Sequence, residues 1–201
     1  MSEIQSSPPL RRRRRRADAE RSSAAILEAA IRLLGERSEA TMDDIAEAAG
    51  VTRQTIYAHY TSREVLLGAV VDRATQDTLA AIDAADLEQG PAPEALLRFL
   101  DTSWRTFERF PVISQRGVTT TPQDEHDRHT PVLDRLLRLV RRGQDAGDFD
   151  SQLSPTWLLA ATVALGHAAG EQVSSGRMTN QEASTALKRS VLRLYGVAAS
   201  E

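Results

Sequence analysis

Apolar residues recur at intervals of three and four along most of the chain, which is the spacing of one buried helix face. Alternation of apolar and polar residues, typical of a half-buried strand, is not convincing anywhere. The spacing predicts eight helices, at about residues 18–34, 41–49, 53–59, 62–85, 94–110, 131–146, 155–174 and 180–195. The pattern therefore predicts an all-α protein.

The helix boundaries carry recognisable local signals. Ser154-Pro155 provides an N-cap followed by proline at the first helical position, and Thr179 with Glu182 forms a capping-box pattern. Thr61 with Glu64 has the same spacing at the start of the fourth helix. The polar stretch 119–130 is predicted to be a loop, with Pro131 at the start of the next helix.

The two ends of the chain differ in charge. The whole chain of 201 residues has a net charge of −3, but residues 1–63 are slightly basic and residues 64–201 are acidic. The basic excess comes from six consecutive arginines, Arg11 to Arg16. Self-repulsion predicts that residues 1–17 form a disordered, extended arm. Its arginines, Arg13 and Arg14 among them, are candidates for contacts with DNA phosphates; a solvated tail is the alternative.

Residues 40–63 have the pattern of two short helices joined by a tight turn. Ile45, Ala46 and Ala49 fall on one face of the first helix, and Gly50 can adopt a left-handed turn conformation. Thr52 is a natural N-cap for the second helix. Ile56 and Tyr60 are predicted to point back into a small core. This arrangement is typical of a helix-turn-helix that places its second helix in the DNA major groove.

The same residues resemble the TetR family of bacterial transcriptional regulators. The resemblance rests on a linked set of motifs: Asp44-Ile45-Ala46, Ala49-Gly50-Val51-Thr52, Ile56-Tyr57-Ala58-His59-Tyr60 and Ser62-Arg63-Glu64 with Leu66. Arg63 stands where the family usually has lysine, so the positive charge is kept. The resemblance implies a three-helix DNA-binding domain at residues 18–64 and a larger helical ligand-binding and dimerisation domain at residues 65–201.

The helix-turn-helix interpretation gives each polar residue of the motif a candidate role. Arg53 is suited to guanine, Gln54 to adenine, and Thr55 to a base edge or a thymine methyl group. The resemblance makes Tyr57, His59 and Arg63 candidate phosphate contacts. Thr41 and Thr52, at the starts of the two helices, complete the predicted DNA-binding set.

The larger domain is expected to bind a small-molecule effector and a second copy of the chain. An apolar cavity with a few polar groups is the usual form of such a site. The candidate lining residues are Trp104, Phe107, Phe110, Trp157, His167 and Glu171, although aromatic residues at helical spacing often belong to a core. The last two helices are the candidate homodimer interface, with a small-residue face at 155–174 and the stripe Leu187, Val191 and Leu194. The alternative is that these faces are buried within one chain.

Other functional classes find little support in the sequence. There is no cysteine, no glycine-rich phosphate loop and no nucleophile-elbow serine, so an enzyme is not expected and no cofactor is implied. Residues 124–129 include His126 and His129 and could hold a metal, but a solvated charged loop is favoured. No apolar run reaches the length of a membrane span, and we expect a cytoplasmic protein.

The sequence predicts a repressor that a small-molecule effector releases from a palindromic, double-stranded DNA operator. Two alternatives remain open at this stage. The chain could retain the fold as a ligand-binding or scaffold protein without operator binding, or it could be an activator.

Overall fold

The computed structural model of the protein describes residues 9–110 and 122–197, except for the side chains of residues 9–12, 15 and 122–129. Over these residues the chain forms helices and contains no strand. The helices are α1 (Pro9–Glu36), α2 (Met42–Ala48), α3 (Arg53–His59), α4 (Arg63–Ala84), α5 (Ala92–Arg109), α6 (Pro122–Asp145), α7 (Pro155–Ser174) and α8 (Asn180–Leu194). The predicted all-α class is confirmed.

The chain divides into two compact units, Met1–Val70 and Val71–Glu201. The division falls within α4, whereas the sequence placed the domain boundary after Glu64. In the first unit, α1, α2 and α3 pack against one another. Ile26, Leu34, Ile45 and Ile56 are at most 1% exposed and form its core.

The arginine run is helical in the structure, in contrast to the extended arm that the sequence predicted. Helix α1 begins at Pro9 and continues through the run, and Arg13 and Arg14 are exposed. Arginine is a good helix former. Asp18 and Glu20 also follow Arg14 and Arg16 by four residues, a spacing at which opposite charges support a helix.

The start of α4 differs slightly from the predicted capping box. The helix begins at Arg63, and the hydroxyl of Ser62 accepts a hydrogen bond from the amide of Val65 at 3.3 Å. Hydrogen bonds from its own backbone amide and from Ser62 lower the pKa of Glu64. Ser62, rather than Thr61, therefore caps this helix.

The second unit is a helical bundle with one continuous core. Helix α5 packs against α6 and α8, and α7 packs against α6 and α8. The core contains apolar residues from each of these helices and the segments between them, among them Leu96, Phe99, Leu136, Val140, Phe149, Leu158, Val191 and Tyr195.

Helix α6 is longer than the sequence predicted. It starts at Pro122, and Pro131 lies inside it rather than at its beginning. The predicted loop at 119–130 is therefore wrong for residues 122–130, whereas residues 119–121 lie outside the described part of the chain. Pro122 suits the first position of a helix, and Asp124 and Glu125 follow in the first turn, where negative charge is favourable.

Two arginines hold the connection between α4 and α5. The guanidinium group of Arg142 donates to the carbonyl oxygens of Leu87, Glu88 and Gly90 at 2.8–3.1 Å. Arg98 donates to the carbonyls of Ala85, Asp86 and Gln89. These bonds satisfy backbone carbonyl groups of the connecting segment 85–90, which lies outside both helices.

The end of α6 and the end of α8 meet around aromatic rings. Phe149 and Tyr195 pack edge to face with ring centroids 4.9 Å apart. The Tyr195 hydroxyl lies 3.0 Å from the hydroxyl of Thr162, and burial raises the pKa of Tyr195 to about 12. Gly143 approaches Phe149 so closely that a Cβ atom there would lie 2.2 Å from the ring.

Of the helices that the structure describes, none combines the length and apolarity needed to cross a bilayer.

Candidate nucleic-acid interface and effector cavity

Helix α2 begins with a complete capping box. The Thr41 hydroxyl accepts from the amide of Asp44 at 3.2 Å, and the Asp44 carboxylate accepts from the amide and hydroxyl of Thr41 at 2.8 and 2.7 Å. These bonds, led by the one from the Thr41 backbone, lower the pKa of Asp44. In the structure Thr41 therefore acts as a helix cap, and its predicted role in DNA binding stays a prediction.

The turn between α2 and α3 is a Schellman motif. Gly50 has φ of 67°, its amide donates to Glu47, and the amide of Val51 donates to Ala46, both at 3.0 Å. This left-handed conformation is readily adopted by glycine but strained for most other residues. Thr52 then caps α3, because its hydroxyl accepts from the amide of Thr55 at 3.1 Å. The direction of α3 is set by these local bonds.

Helix α3 presents its polar residues outward and its apolar residues inward. Arg53, Gln54 and Tyr57 are exposed, and Thr55 and His59 are half-buried. Ile56 is 0% and Tyr60 8% exposed. The Tyr60 hydroxyl lies 3.0 Å from the hydroxyl of Ser23 on α1. Of the predicted base-reading side chains, Arg53 and Gln54 are thus exposed to solvent, and Thr55 is partly covered.

Arg53 is engaged by its neighbours on this face. Its guanidinium group forms an ion pair with Asp43 of α2 and lies 5.4 Å from the centre of the Tyr57 ring. The pair is exposed, with 68% of the Arg53 side chain and 54% of the Asp43 side chain accessible. Because exposed ion pairs contribute little to stability, Arg53 can exchange this partner for another acceptor at low cost.

Arg63 has a structural partner that the sequence did not reveal. Its guanidinium group donates to the backbone carbonyls of Ser38 and Ala40, in the segment between α1 and α2. These partners lie more than twenty residues away in sequence, and no local pattern indicates them. Arg63 is half-buried, and its predicted phosphate contact remains a prediction.

A cavity of about 360 Å³ lies within the second unit. Helix α4 contributes Val71, Ala74, Thr75 and Thr78 to its wall. The remaining walls come from α5, α6, α7 and α8, with Phe99 and Trp104 on α5 and Leu136 on α6 among the buried residues. A volume of this size is in the range of small-molecule sites.

Half of the predicted cavity residues line it. Trp104, Phe107 and His167 do so: the Trp104 and Phe107 rings are 6.0 Å apart, and His167 meets the Phe107 ring edge-on at 6.4 Å. The structure places the other three, Phe110, Trp157 and Glu171, outside the cavity. Phe110 is buried beneath the guanidinium group of Arg109, which lies 5.1 Å from its ring.

Trp157 and Glu171 instead lie on the outer face of α7. Trp157 is 59% exposed, and Glu171 approaches Arg177 at 4.0 Å. A single sequence does not distinguish an aromatic residue that faces a cavity from one that faces solvent, because both have helical spacing. Glu171 also follows His167 by four residues, but that spacing alone did not bring its carboxylate to the cavity.

The small residues of α7 divide between two faces. Gly166, Ala169 and Gly170 are buried within the unit, whereas Ala160, Ala164 and Ala168 are exposed together with Trp157. On α8, Leu187 and Val191 belong to the core of this chain, at 6% and 0% exposure. Those two residues therefore cannot form an interface with a second copy of the chain. The sequence had suggested that they would.

Possible metal ligands do not assemble in the described part of the chain, where no group of three or more His, Asp or Glu side chains has metal-binding proximity. The side chains of His126 and His129 lie outside that part, and the metal alternative for residues 124–129 stays untested.

The two-helix motif, its outward polar face and the helical second unit define a helix-turn-helix regulator. Residues 26–70 match the sequence profile described as bacterial regulatory proteins of the tetR family. The transcriptional regulator TtgR of Pseudomonas putida is 31% identical over 164 residues, which cover 71% of this chain and 77% of that protein. The transcriptional repressor LfrR of Mycolicibacterium smegmatis is 40% identical over 83 residues, 41% of this chain and 44% of that protein.

Solved structures agree with the fold. The TetR-like regulator LfrR from Mycobacterium smegmatis in complex with proflavine has a TM-score of 0.67 and 24% identity, covering 90% of this chain and 98% of that one. The fatty acid degradation regulator FadR from Bacillus halodurans has a TM-score of 0.73 and 17% identity, covering 85% of this chain and 94% of that one. The chain belongs to the TetR family of bacterial transcriptional regulators.

Proposed function

We propose that the protein is a homodimeric repressor that binds a near-palindromic operator and leaves it when a small molecule fills the cavity of the second unit. The observation that carries this proposal is the outward face of α3, where Arg53, Gln54 and Tyr57 project from a helix fixed by a glycine turn, a threonine cap and a buried isoleucine. These three local features fix the orientation of α3, and therefore of its exposed side chains, in the absence of DNA.

The exposed polar residues of α3 each have a chemically matched target. The Arg53 guanidinium group can donate two parallel bonds to guanine, and the Gln54 amide can both donate to and accept from adenine. Tyr57 and His59, further along the helix, can donate hydrogen bonds to phosphates. In a symmetric dimer the two copies of α3 enter successive major grooves, with half-site centres roughly 34–36 Å apart.

The cavity supplies the response to a ligand. Helix α4 contributes four residues to the cavity wall and begins at Arg63, whose guanidinium group binds the α1–α2 segment. We infer that α4 carries the effect of ligand binding to helices α2 and α3, which we call the reading head. To shift the population from mostly DNA-competent to mostly released, the ligand must prefer the released state by about 5 kcal/mol. That the regulator LfrR was solved with proflavine supports a small-molecule effector.

Selection of duplexes from a random library with the full-length protein tests this function. We expect the enriched sequences to contain an inverted repeat whose half-sites carry guanine and adenine at neighbouring positions. Enrichment of a single unpaired half-site would contradict the dimer, and the lack of any enriched sequence would favour a fold that has lost operator binding. Reporter expression from the selected site distinguishes repression from activation.

The outer face of α7 is the proposed dimer surface. Trp157, Ala160, Ala164 and Ala168 recur at helical spacing and are all exposed. Small side chains allow a second helix to approach closely, and a large exposed indole beside them is typical of an interface anchor.

Trp157→Ala should therefore weaken dimerisation. Removing a tryptophan anchor costs about 2–4 kcal/mol in protein interfaces, and a symmetric dimer contains it twice. The two copies together cost at least about 4 kcal/mol, so sedimentation velocity over a concentration series should show the dimer dissociating at protein concentrations at least about 500-fold higher than in the wild type. Val65→Ala, which shortens another exposed apolar side chain at 49% exposure, is the control and should leave the equilibrium unchanged. Equal dimer stability in both variants would place the interface elsewhere.

A further inference from the structure

The threonine hydroxyl groups on the cavity wall are already bonded within the chain. Thr75, Thr78 and Thr162 each donate to the carbonyl of the residue four positions earlier, at 2.7–3.0 Å. The Thr106 hydroxyl lies 2.7 Å from that of Thr78, and the Tyr195 hydroxyl lies 3.0 Å from that of Thr162. Because a hydroxyl has one proton to donate, these groups have little capacity left for a ligand.

Two further polar groups of the lining residues do not reach the cavity. The Ser103 hydroxyl oxygen and the Trp104 indole nitrogen have almost no accessible surface, although both residues line the cavity. The parts of Ser103 and Trp104 that face the cavity are therefore carbon atoms. A ligand finds no hydrogen-bond donor on this part of the wall.

The cavity wall also offers little charge. Its described lining residues include no aspartate, glutamate, lysine or arginine. His167 is the one titratable side chain among them, and it is also the one that is exposed to solvent. An ion that leaves water for the interior of this cavity would lose its hydration and find no opposite charge, at a cost of several kcal/mol.

We propose that the effector is an uncharged, largely apolar aromatic molecule held by burial of apolar surface, and that the cavity rejects ionised molecules of the same shape. This inference rests on the proposed ligand-responsive function. Phe99, Trp104 and Phe107 supply aromatic walls, with the Trp104 and Phe107 rings 6.0 Å apart. Filled to the packing density of a protein interior, a cavity of 360 Å³ holds about 270 Å³ of molecule, which suits a few linked rings.

Two matched pairs of probes separate charge from shape. N-phenylnaphthylamine and anilinonaphthalene sulfonate have the same rings and differ in one sulfonate group, which makes the second an anion. Acridine and N-methylacridinium share a ring system, and the second is a permanent cation. Affinities for the full-length protein are measured by equilibrium dialysis at a pH at which acridine is uncharged.

The uncharged member of each pair should bind more tightly, by at least about tenfold, because only the ion loses hydration without gaining a partner. The anionic and cationic pairs should give the same order. A wall that merely carried the acidic net charge of the second unit would instead reject the anion and favour the cation.

Cavity-filling variants show where the probe binds. Gly166 lines the cavity and a Cβ there would meet no atom within 4 Å, so the side chain of Gly166→Leu should occupy the open space. It should weaken binding of N-phenylnaphthylamine at least about tenfold. Ala74→Leu fills the cavity from α4 and decides if circular dichroism shows that Gly166→Leu does not fold. Ala81→Leu adds the same side chain at an exposed position of α4 and should leave the affinity unchanged.

Equal affinity within either pair, tighter binding of either ion, or failure of both uncharged probes to bind would overturn the inference. Undiminished binding by a folded cavity-filling variant would also do so. Operator affinity of the ligand-free wild type is measured on the same preparation. A protein that prefers the uncharged probes but binds no operator would contradict the proposed function alone, whereas one that binds its operator and shows no such preference would contradict only the ligand class.

Discussion

Arg53→Ala is expected to weaken operator binding by about 1–3 kcal/mol in each reading head, and the loss should be confined to operator sequences. Arg53 is exposed at the start of α3, and its guanidinium group is the side chain best suited to a guanine edge. Since a symmetric dimer presents two copies, the total loss should approach twice the single value. Fluorescence anisotropy with the selected operator and a scrambled duplex measures both affinities.

Two further variants test whether the loss comes from the shape of the Arg53 side chain or from its charge. Arg53→Lys keeps the charge but loses the paired donors, so it should retain affinity for scrambled DNA and lose most of the preference for the operator. Arg32→Ala removes an exposed arginine from α1 and should change both affinities only slightly. If Arg53→Ala reduced operator and scrambled binding equally, Arg53 would be a phosphate contact and not a base reader.

Gly143→Ala should destabilise the protein by about 3 kcal/mol, because the new methyl group has no space. Its carbon would lie 2.2 and 2.4 Å from two atoms of the Phe149 ring, and that ring is itself packed against Tyr195. Thermal unfolding followed by circular dichroism should show a melting temperature lower by roughly 6–12 °C, the shift expected for a chain of this size.

Gly166→Ala is the matched control for this substitution. It is also a buried glycine inside a helix, but a Cβ there would meet nothing within 4 Å. Because alanine favours a helix over glycine by about 1 kcal/mol, this variant should melt at the same temperature or higher. Adding Phe149→Leu to Gly143→Ala should restore part of the lost stability, since the two residues are in contact. A Gly143→Ala protein that melts like the wild type would show that Phe149 has freedom to move aside.

The reading head could be predicted from sequence because its determinants are local. Gly50, Thr52 and the spacing of Ile45 and Ile56 act within a few residues of one another, so their pattern predicts both helices and the turn. The predicted core positions of Ile56 and Tyr60 are confirmed. The conformation of the arginine run was harder to predict, because a block of like charge predicts an extended chain while arginine itself favours a helix.

The cavity could be predicted only in part, because it depends on contacts between distant segments. Trp104, Phe107 and His167 line it, yet Ser103 carried no sequence signal. Trp157 has the same aromatic character and the same helical spacing but faces outward.

The ion pair between Arg53 and Asp43 bears on how the protein discriminates among the many sites of a genome. In the proposed function, a DNA group that binds Arg53 takes the place of this carboxylate, and the exchange costs little because the pair is exposed. A lone phosphate on random DNA replaces one anion with another and gains little, whereas a guanine edge offers two acceptors in a fixed geometry. If Arg53 reads a guanine as proposed, the Asp43 carboxylate would lower the net gain from a single phosphate more than the net gain from a guanine edge, and would so favour the operator over random sequence.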